Sequence, residues 1–430
     1  MAPRELDEVV RTVVSEARGE LNSLRLSGES SVIDEGLARP IIQRIIGANA
    51  VLARQSAQIQ AVVEQDVVDN LFYLGPLESL LADEDISEIM VNGPNEVWVE
   101  KSGKVQLSEN HFFDDEHIVD IIRRLASDDN RRCDEGSPLC DCVLHREGAT
   151  FDGSRVNAVV PIIAVDHPLL SIRKFKNDAL RPKDLMRFGA FDARMGLFMK
   201  GLVQGRMNVI ISGGTGTGKT TMLNALALFI PNDQRIVTIE DTPELFIDKP
   251  QVARLQSRPP NTEGKGAIDI RSLVINALRM RPDRIVVGEC RGSEAFDMLQ
   301  AMSTGHDGSL TTIHANNPRE CVNRLQSMIQ LAGYDMPVFS IRELIVSAVD
   351  FIVAVRRFPD GSRRVVEVTE VSGMEGESVT MAPIMRFEQD PYHGGKVTGH
   401  FAPTGNRPNE AHLQRMSLQG VQFDGRLFIR

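Results

Sequence analysis

Residues 208–226 read NVIISGGTGTGKTTMLNAL: an apolar run, a glycine-dense turn, then a lysine and a helix-forming segment. Between strand and helix, Gly213, Gly214, Gly216 and Gly218 open the backbone to conformations that other residues avoid, as a tight loop requires. Such a loop, completed by Thr215 and Thr217, wraps closely and turns its N–H groups inward as an anion cradle. The helix beginning near Lys219 adds the positive end of its dipole. In this spacing Lys219 reaches the β- and γ-phosphates of a nucleoside triphosphate, and the Thr220 hydroxyl ligates Mg²⁺. Thr221 continues the phosphate-facing first turn. A glycine turn that binds nothing would need neither the buried strand before it nor the helix after it.

The rest of the composition narrows what such a site serves. A length of 430 residues allows two to four domains, and 42% hydrophobic with 25% charged residues describes an ordinary soluble globular chain. The net charge of -11 argues against a nucleic-acid partner, whose binders are usually basic. The opening MAPRELDEVV has no basic stretch followed by an apolar one. No apolar run approaches the roughly 18 residues of a membrane span. The expectation is a cytoplasmic protein that meets a membrane only peripherally, through partners. Five scattered cysteines do not form a disulfide framework. Cys133, Cys140, Cys142 and His145 lack paired CxxC knuckles, so they read as structural thiols and not as a zinc site.

Along the chain, residues 1–74 carry helical periodicity, with Val9, Val10, Val13 and Val14 and then Ile41, Ile42, Ile45 and Ile46 on stripes. Breaks fall at 27–31 and 36–40. A small helical bundle serving docking or assembly follows. Residues 75–176 switch to short β-type runs at 86–91, 96–100, 105–107, 154–160 and 169–175, with a helix at about 115–126, as in a mixed α+β domain. A linker is expected at 177–190. Residues 191–385 alternate apolar strands with helices, the pattern of an α/β domain with a mostly parallel sheet covered on both faces. Residues 386–430 read as a loosely packed tail with a few short strands.

Three more segments fall at strand ends in the same domain. IVTIEDTPEL, 236–245, delivers Glu240 and Asp241 to the carboxyl end of a strand, where open α/β sheets place ligands. RIVVGECRG, 284–292, ends on Glu289, a carboxylate able to polarise a water or hold the hydration shell of a metal. The helix before it carries Arg279 and Arg281 near its end, placed to pair with carboxylates or reach a phosphate. In STGHDGSLTTIHANN, 303–317, His314 ends a strand and can bond a γ-phosphate, while His306 lies in a glycine turn before it.

Together these segments resemble the secretion ATPase superfamily of type II and type IV secretion and type IV pili, whose order is Walker A, Asp box, Walker B and His box. The likeness extends upstream through ISEIMVNGPNEVWVEKSGKV, FDGSRVNAVVP and LLSIRKF. GPLESLLAD and the ending MRFEQD…GKVTGHFAPTG look most like the CpaF type of tight-adherence (Tad) pili. The resemblance implies a PAS-like N-terminal domain, a RecA-like P-loop ATPase domain and a homohexameric ring. It implies ATP and Mg²⁺ as cofactors, with nucleotide held between the two domains. Glu289 matches the Walker B glutamate, a Mg²⁺ contact through water, and Glu240 matches the Asp-box acid; either serves as the base. Arg155 and Arg173 match upstream arginines that approach phosphate as arginine fingers do, a task suited to the bidentate fork. The implied partner is an inner-membrane pilus platform protein, at the cytoplasmic face of that membrane. The implied work is pilus assembly, with or without retraction; type II/IV protein secretion or conjugation is the nearest alternative. A nucleic-acid motor with a RecA-type core is a more distant one, which the acidic charge disfavours.

Overall fold

The computed structural model describes residues 3–27, 33–101, 103–174, 180–261, 264–392 and 394–430. The chain divides into two compact units, Met1–Lys176 and Asn177–Arg430.

The first unit opens with helices Pro3–Ser27, Glu35–Ala48 and Ala57–Phe72, which bury Val13, Ala17, Ile42, Ile46, Val63 and Val67 against one another. The break expected at 27–31 lies mostly outside the described residues. The one expected at 36–40 is absent: the second helix runs straight through Pro40, started by Asp34, whose side chain accepts the Leu37 N–H. An interior proline costs about 3 kcal/mol. Burying Ile42, Ile45 and Ile46 from the same helix contributes roughly 1.5–3 kcal/mol each, so the helix survives.

A six-stranded sheet follows: β1 (Ile86–Val91), β2 (Val97–Lys101), β3 (Lys104–Leu107), β4 (Leu139–Val143), β5 (Arg155–Val159) and β6 (Leu169–Arg173). Its order is β3-β2-β1-β6-β5-β4, antiparallel throughout. Helix Asp115–Asp128, capped by Asp114, lays Ile118, Ile121, Ile122 and Leu125 into its core. In β4, Cys140 and Cys142 point to that core beside Cys133, where thiols behave as small apolar side chains.

The second unit is built on nine strands: β7 (Val209–Gly213), β8 (Ile236–Glu240), β9 (Val252–Gln256), β10 (Arg284–Cys290), β11 (Leu310–His314), β12 (Phe351–Arg357), β13 (Arg363–Glu375), β14 (Ser378–Gln389) and β15 (Gly399–Pro403). The order is β15-β14-β13-β12-β7-β11-β10-β8-β9. From β12 to β9 the neighbours are parallel, and from β12 to β15 antiparallel. β7 is buried on both faces: Val209 and Ile211 enter one core, Ile210 the other. Helices Ala193–Gln204 and Lys219–Ala227 cover the first face. Helices Ile270–Ala277, Glu294–Ser303, Pro318–Leu331 and Val338–Ala348 cover the second.

Two further stretches differ from their sequence-based expectation. Within 177–190, residues Pro182–Arg187 form a helix with Leu185 buried, and Ala190 joins the core; 177–179 lie outside the described residues. Beyond 386 most described residues are exposed or half-buried, yet the segment is tied to the domain by regular elements and spaced anchors. β14 and β15 extend the sheet, helix Glu410–Leu418 follows, and Met416, Leu427 and Phe428 enter the first core. These anchors are single residues spaced along a polar stretch, too sparse to show as periodicity.

Candidate functional site

The parallel strands deliver the conspicuous polar residues to one edge. β7 ends at Gly213, where a Cβ would meet Thr217 Oγ1 at 2.5 Å and Val355 O at 2.8 Å, so only glycine fits. Gly216 and Gly218 have φ of +67° and +90°, which glycine adopts without strain. Gly218 caps helix Lys219–Ala227, so Thr220 and Thr221 lie in its first turn. Thr217 Oγ1 donates to the Gly214 carbonyl at 2.9 Å and closes the loop on itself. Lys219 Nζ donates to the same carbonyl at 3.1 Å and lies 3.6 Å from Glu289 Oε1. The lysine is thus drawn across the loop mouth, held between a carbonyl and a carboxylate.

Glu289 sits near the end of β10 and is gripped from its other side by Arg291, at 2.7 Å from Nε and 2.6 Å from Nη2. Arg291 lies inside the RIVVGECRG segment, yet its role was not legible there, because one arginine after a strand looks like surface charge. His314 pairs in register with Gly213 across β11 and β7 and is exposed there. The amide oxygen of Asn316 would lie 3.6 Å from a Cβ on Gly214.

Glu240 ends β8, the strand beside β10, and is buried at 4% exposure. Its Oε1 accepts the backbone N–H groups of Glu244 at 2.8 Å and Leu245 at 2.9 Å. Its chain packs on Gly288, where a Cβ would stand 3.0 Å from Glu240 Cγ. Burial pushes its pKa up to about 7, with the two backbone N–H bonds pulling the other way. Asp241 is exposed and accepts a hydrogen bond from Ser257 Oγ at 2.9 Å. The two glutamates are therefore neighbours in unlike surroundings, one desolvated, the other ion-paired with Lys219 and Arg291.

Other sequence candidates lie elsewhere. His306 precedes β11, so it sits at the amino end of the parallel strands, opposite the phosphate loop. Arg279 and Arg281 follow helix Ile270–Ala277 and lead into the start of β10, again at that opposite end, which removes them from phosphate contact. Arg155 and Arg173 face each other in register on β5 and β6 of the first unit, on the side of the strands away from Val156 and Ile172. Among the described residues no group of three or more His, Cys, Asp or Glu side chains is disposed to hold a metal ion. Thr220 and Glu289 offer oxygen donors only, which fits a hard cation carried in largely by water and phosphate oxygens.

A family profile described as type II/IV secretion system protein matches residues 72–372. A Mycobacterium tuberculosis protein named provisionally as a conjugal transfer protein is 36% identical over 302 residues, covering 70% of this chain and 85% of that protein. The type IV secretion system protein PtlH of Bordetella pertussis is 35% identical over 335 residues, covering 70% and 95%. The solved pilus retraction motor PilT with bound ADP is 20% identical, with a TM-score of 0.52 over 68% of this chain and 81% of that one, a likeness of fold alone. The matched span takes in the phosphate loop, the Asp, Walker B and His boxes and both upstream arginines, and the chain belongs to the type II/IV secretion ATPase superfamily.

Proposed function

We propose that this chain is a Mg²⁺-dependent ATP-hydrolysing motor, working as a ring of six, that drives assembly, or assembly and retraction, of a Tad-type type IV pilus. The observation that carries the reading is the convergence of Lys219 and Glu289 at the mouth of a glycine cradle, with Glu240 on the adjoining strand. Backbone N–H groups of 214–219 and the helix terminus receive the phosphates, and Lys219 leaves Glu289 to meet the β/γ oxygens. Mg²⁺, when bound, neutralises charge on those oxygens; Thr220 and, through water, Glu289 would hold it. Glu240, with a pKa near 7, takes the proton of the attacking water, since a base is most useful poised near the working pH. His314, beside Gly213, senses the γ-phosphate. The family resemblance assigns Arg155 and Arg173 to the phosphate as arginine fingers, and an inner-membrane platform protein as the partner, met at its cytoplasmic face.

The similarity to PtlH and to the mycobacterial protein supports a second reading, a motor for protein secretion or conjugation. Deleting the gene separates the two. Loss of surface filaments with secreted proteins intact, restored by the wild-type chain but not by Lys219→Ala, is the expected result. Intact filaments with lost secretion would favour the second reading, and neither defect would sink both.

A further inference from the structure

The β12–β13 hairpin reads RRFPDGSRR over residues 356–364. In its register Arg357 stands opposite Arg363, and Arg356 opposite Arg364. Like charges directly across an antiparallel pair destabilise it, so two such pairs at one turn call for a reason. The contacts supply one. Arg363 Nε donates to the Gly216 carbonyl at 2.8 Å, and Arg363 Cδ would lie 3.4 Å from a Cβ on Gly218. Arg357 Nη1 would lie 3.5 Å from a Cβ on Gly216. The hairpin therefore borders the phosphate loop from outside.

Its tip is held firmly. Asp360 accepts the Ser362 N–H at 2.9 Å and hydroxyl at 2.6 Å, and its other oxygen accepts the Val397 N–H at 2.7 Å. Arg364 donates to the Val397 carbonyl at 2.8 Å and lies over the Phe387 ring at 4.8 Å. Phe358, Phe387 and Val397 close a small apolar cluster beneath.

We propose that Arg363, with Arg357 beside it, is a positioning residue for the phosphate cradle. In a planar trans peptide the carbonyl and the following N–H point in opposite directions. Holding the Gly216 carbonyl outward aims the Thr217 N–H into the cradle, where it meets a phosphate oxygen. Fixing that donor in advance removes an ordering cost from binding, and two guanidinium groups at the rim raise the local potential for an anion.

The inference rests on the loop binding nucleotide, and the test keeps the two apart. ATP turnover and competition by inorganic tripolyphosphate, which has no base or sugar, are measured on the full chain and on Arg363→Ala. The expected result is a roughly tenfold rise in the KM for ATP and a similar rise in the tripolyphosphate inhibition constant, the size of one lost charge-assisted hydrogen bond. The change in kcat stays smaller than the change in KM, and Arg363→Lys recovers part of the loss. Unchanged constants overturn the proposal. A loss confined to ATP also overturns it, since that marks a base or ribose contact. If Arg363→Ala melts lower without nucleotide, Arg363→Met, which keeps the stem but has neither the charge nor an N–H donor, decides on the same two constants. A wild-type chain that binds neither ATP nor tripolyphosphate would instead refute the nucleotide reading itself.

Discussion

Glu240 and Glu289 show how neighbouring carboxylates come to differ. Removing Glu240 from water raises its pKa to about 7, while Glu289 is held between two cations. A desolvated carboxyl beside an ion-paired one is the arrangement expected of a base next to a charged partner. Glu240→Gln is expected to lower kcat by about 10²–10⁴-fold with nucleotide affinity kept. If Glu240 is the base, the wild-type kcat is expected to rise with pH through about 7, because the base must be ionised. Glu289→Gln is expected to raise the Mg²⁺ concentration needed for half-maximal rate, a change Glu240→Gln does not produce. Flat pH dependence, or the Mg²⁺ effect appearing in Glu240→Gln, would reverse the roles. For stability the same shift runs the other way: a carboxyl that holds its proton more tightly when folded favours the fold below about pH 4.5, and that advantage fades as pH rises through 7. At the other end of the sheet, Arg284 is fully buried and donates to Gln234 Oε1, Gly308 O and Val203 O. A Cβ on Gly308, whose φ is +82°, would lie 1.3 Å from the Arg284 guanidinium. Gly308→Ala should therefore cost about 3 kcal/mol or more, as urea unfolding would show; a loss under about 1 kcal/mol contradicts this.

Helix Glu410–Leu418 is fastened by ion pairs as well as by Met416, which is buried in the first core. His412 lies between Asp350 at 3.1 Å and Glu370 at 2.6 Å, and Arg415 reaches Asp350 at 2.7 Å. Burial lowers the His412 pKa, but hydrogen bonds to the two carboxylates outweigh it and hold it near 9. A raised imidazole pKa stabilises fully below about pH 6.5, and that stability is lost as pH rises through 9. The melting temperature should fall between pH 6.5 and 9.5, and His412→Gln should flatten that fall; an unchanged slope in the variant would exclude His412 as its source. No pattern of hydrophobic periodicity foretells this fastening, because His412, Glu370 and Asp350 are distant in sequence. What was legible were elements with local rules: strand, glycine loop and helix at 208–226, and the strand ends carrying Glu240, Glu289 and His314. β9, VARLQ, was missed because an edge strand with alternating polar residues lacks the run of apolar side chains that marks its buried neighbours. Arg363 went unread for a different reason: its partner, the Gly216 carbonyl, is a backbone group 147 residues away, which no local signal encodes.

Taken whole, the chain has its phosphate loop in one compact unit and its upstream arginines in the other. If Arg155 and Arg173 serve the phosphate, Arg155→Ala should reduce turnover by at least about tenfold while leaving nucleotide affinity nearly intact, because transition-state charge is what such arginines meet. Unaltered turnover would return Arg155 to the surface. Native mass spectrometry should give about 286 kDa, six copies of a 47.6 kDa chain; a monomer at working concentration would contradict the ring. All of this depends on Lys219 and its loop turning over ATP. Steady-state phosphate release from the purified chain with ATP and Mg²⁺, wild type beside Lys219→Ala, tests that most directly. Saturable release by the wild type, lowered at least about 100-fold in the variant with its assembly retained, is the expected result. Equal release from both proteins, or none from the wild type, would contradict it.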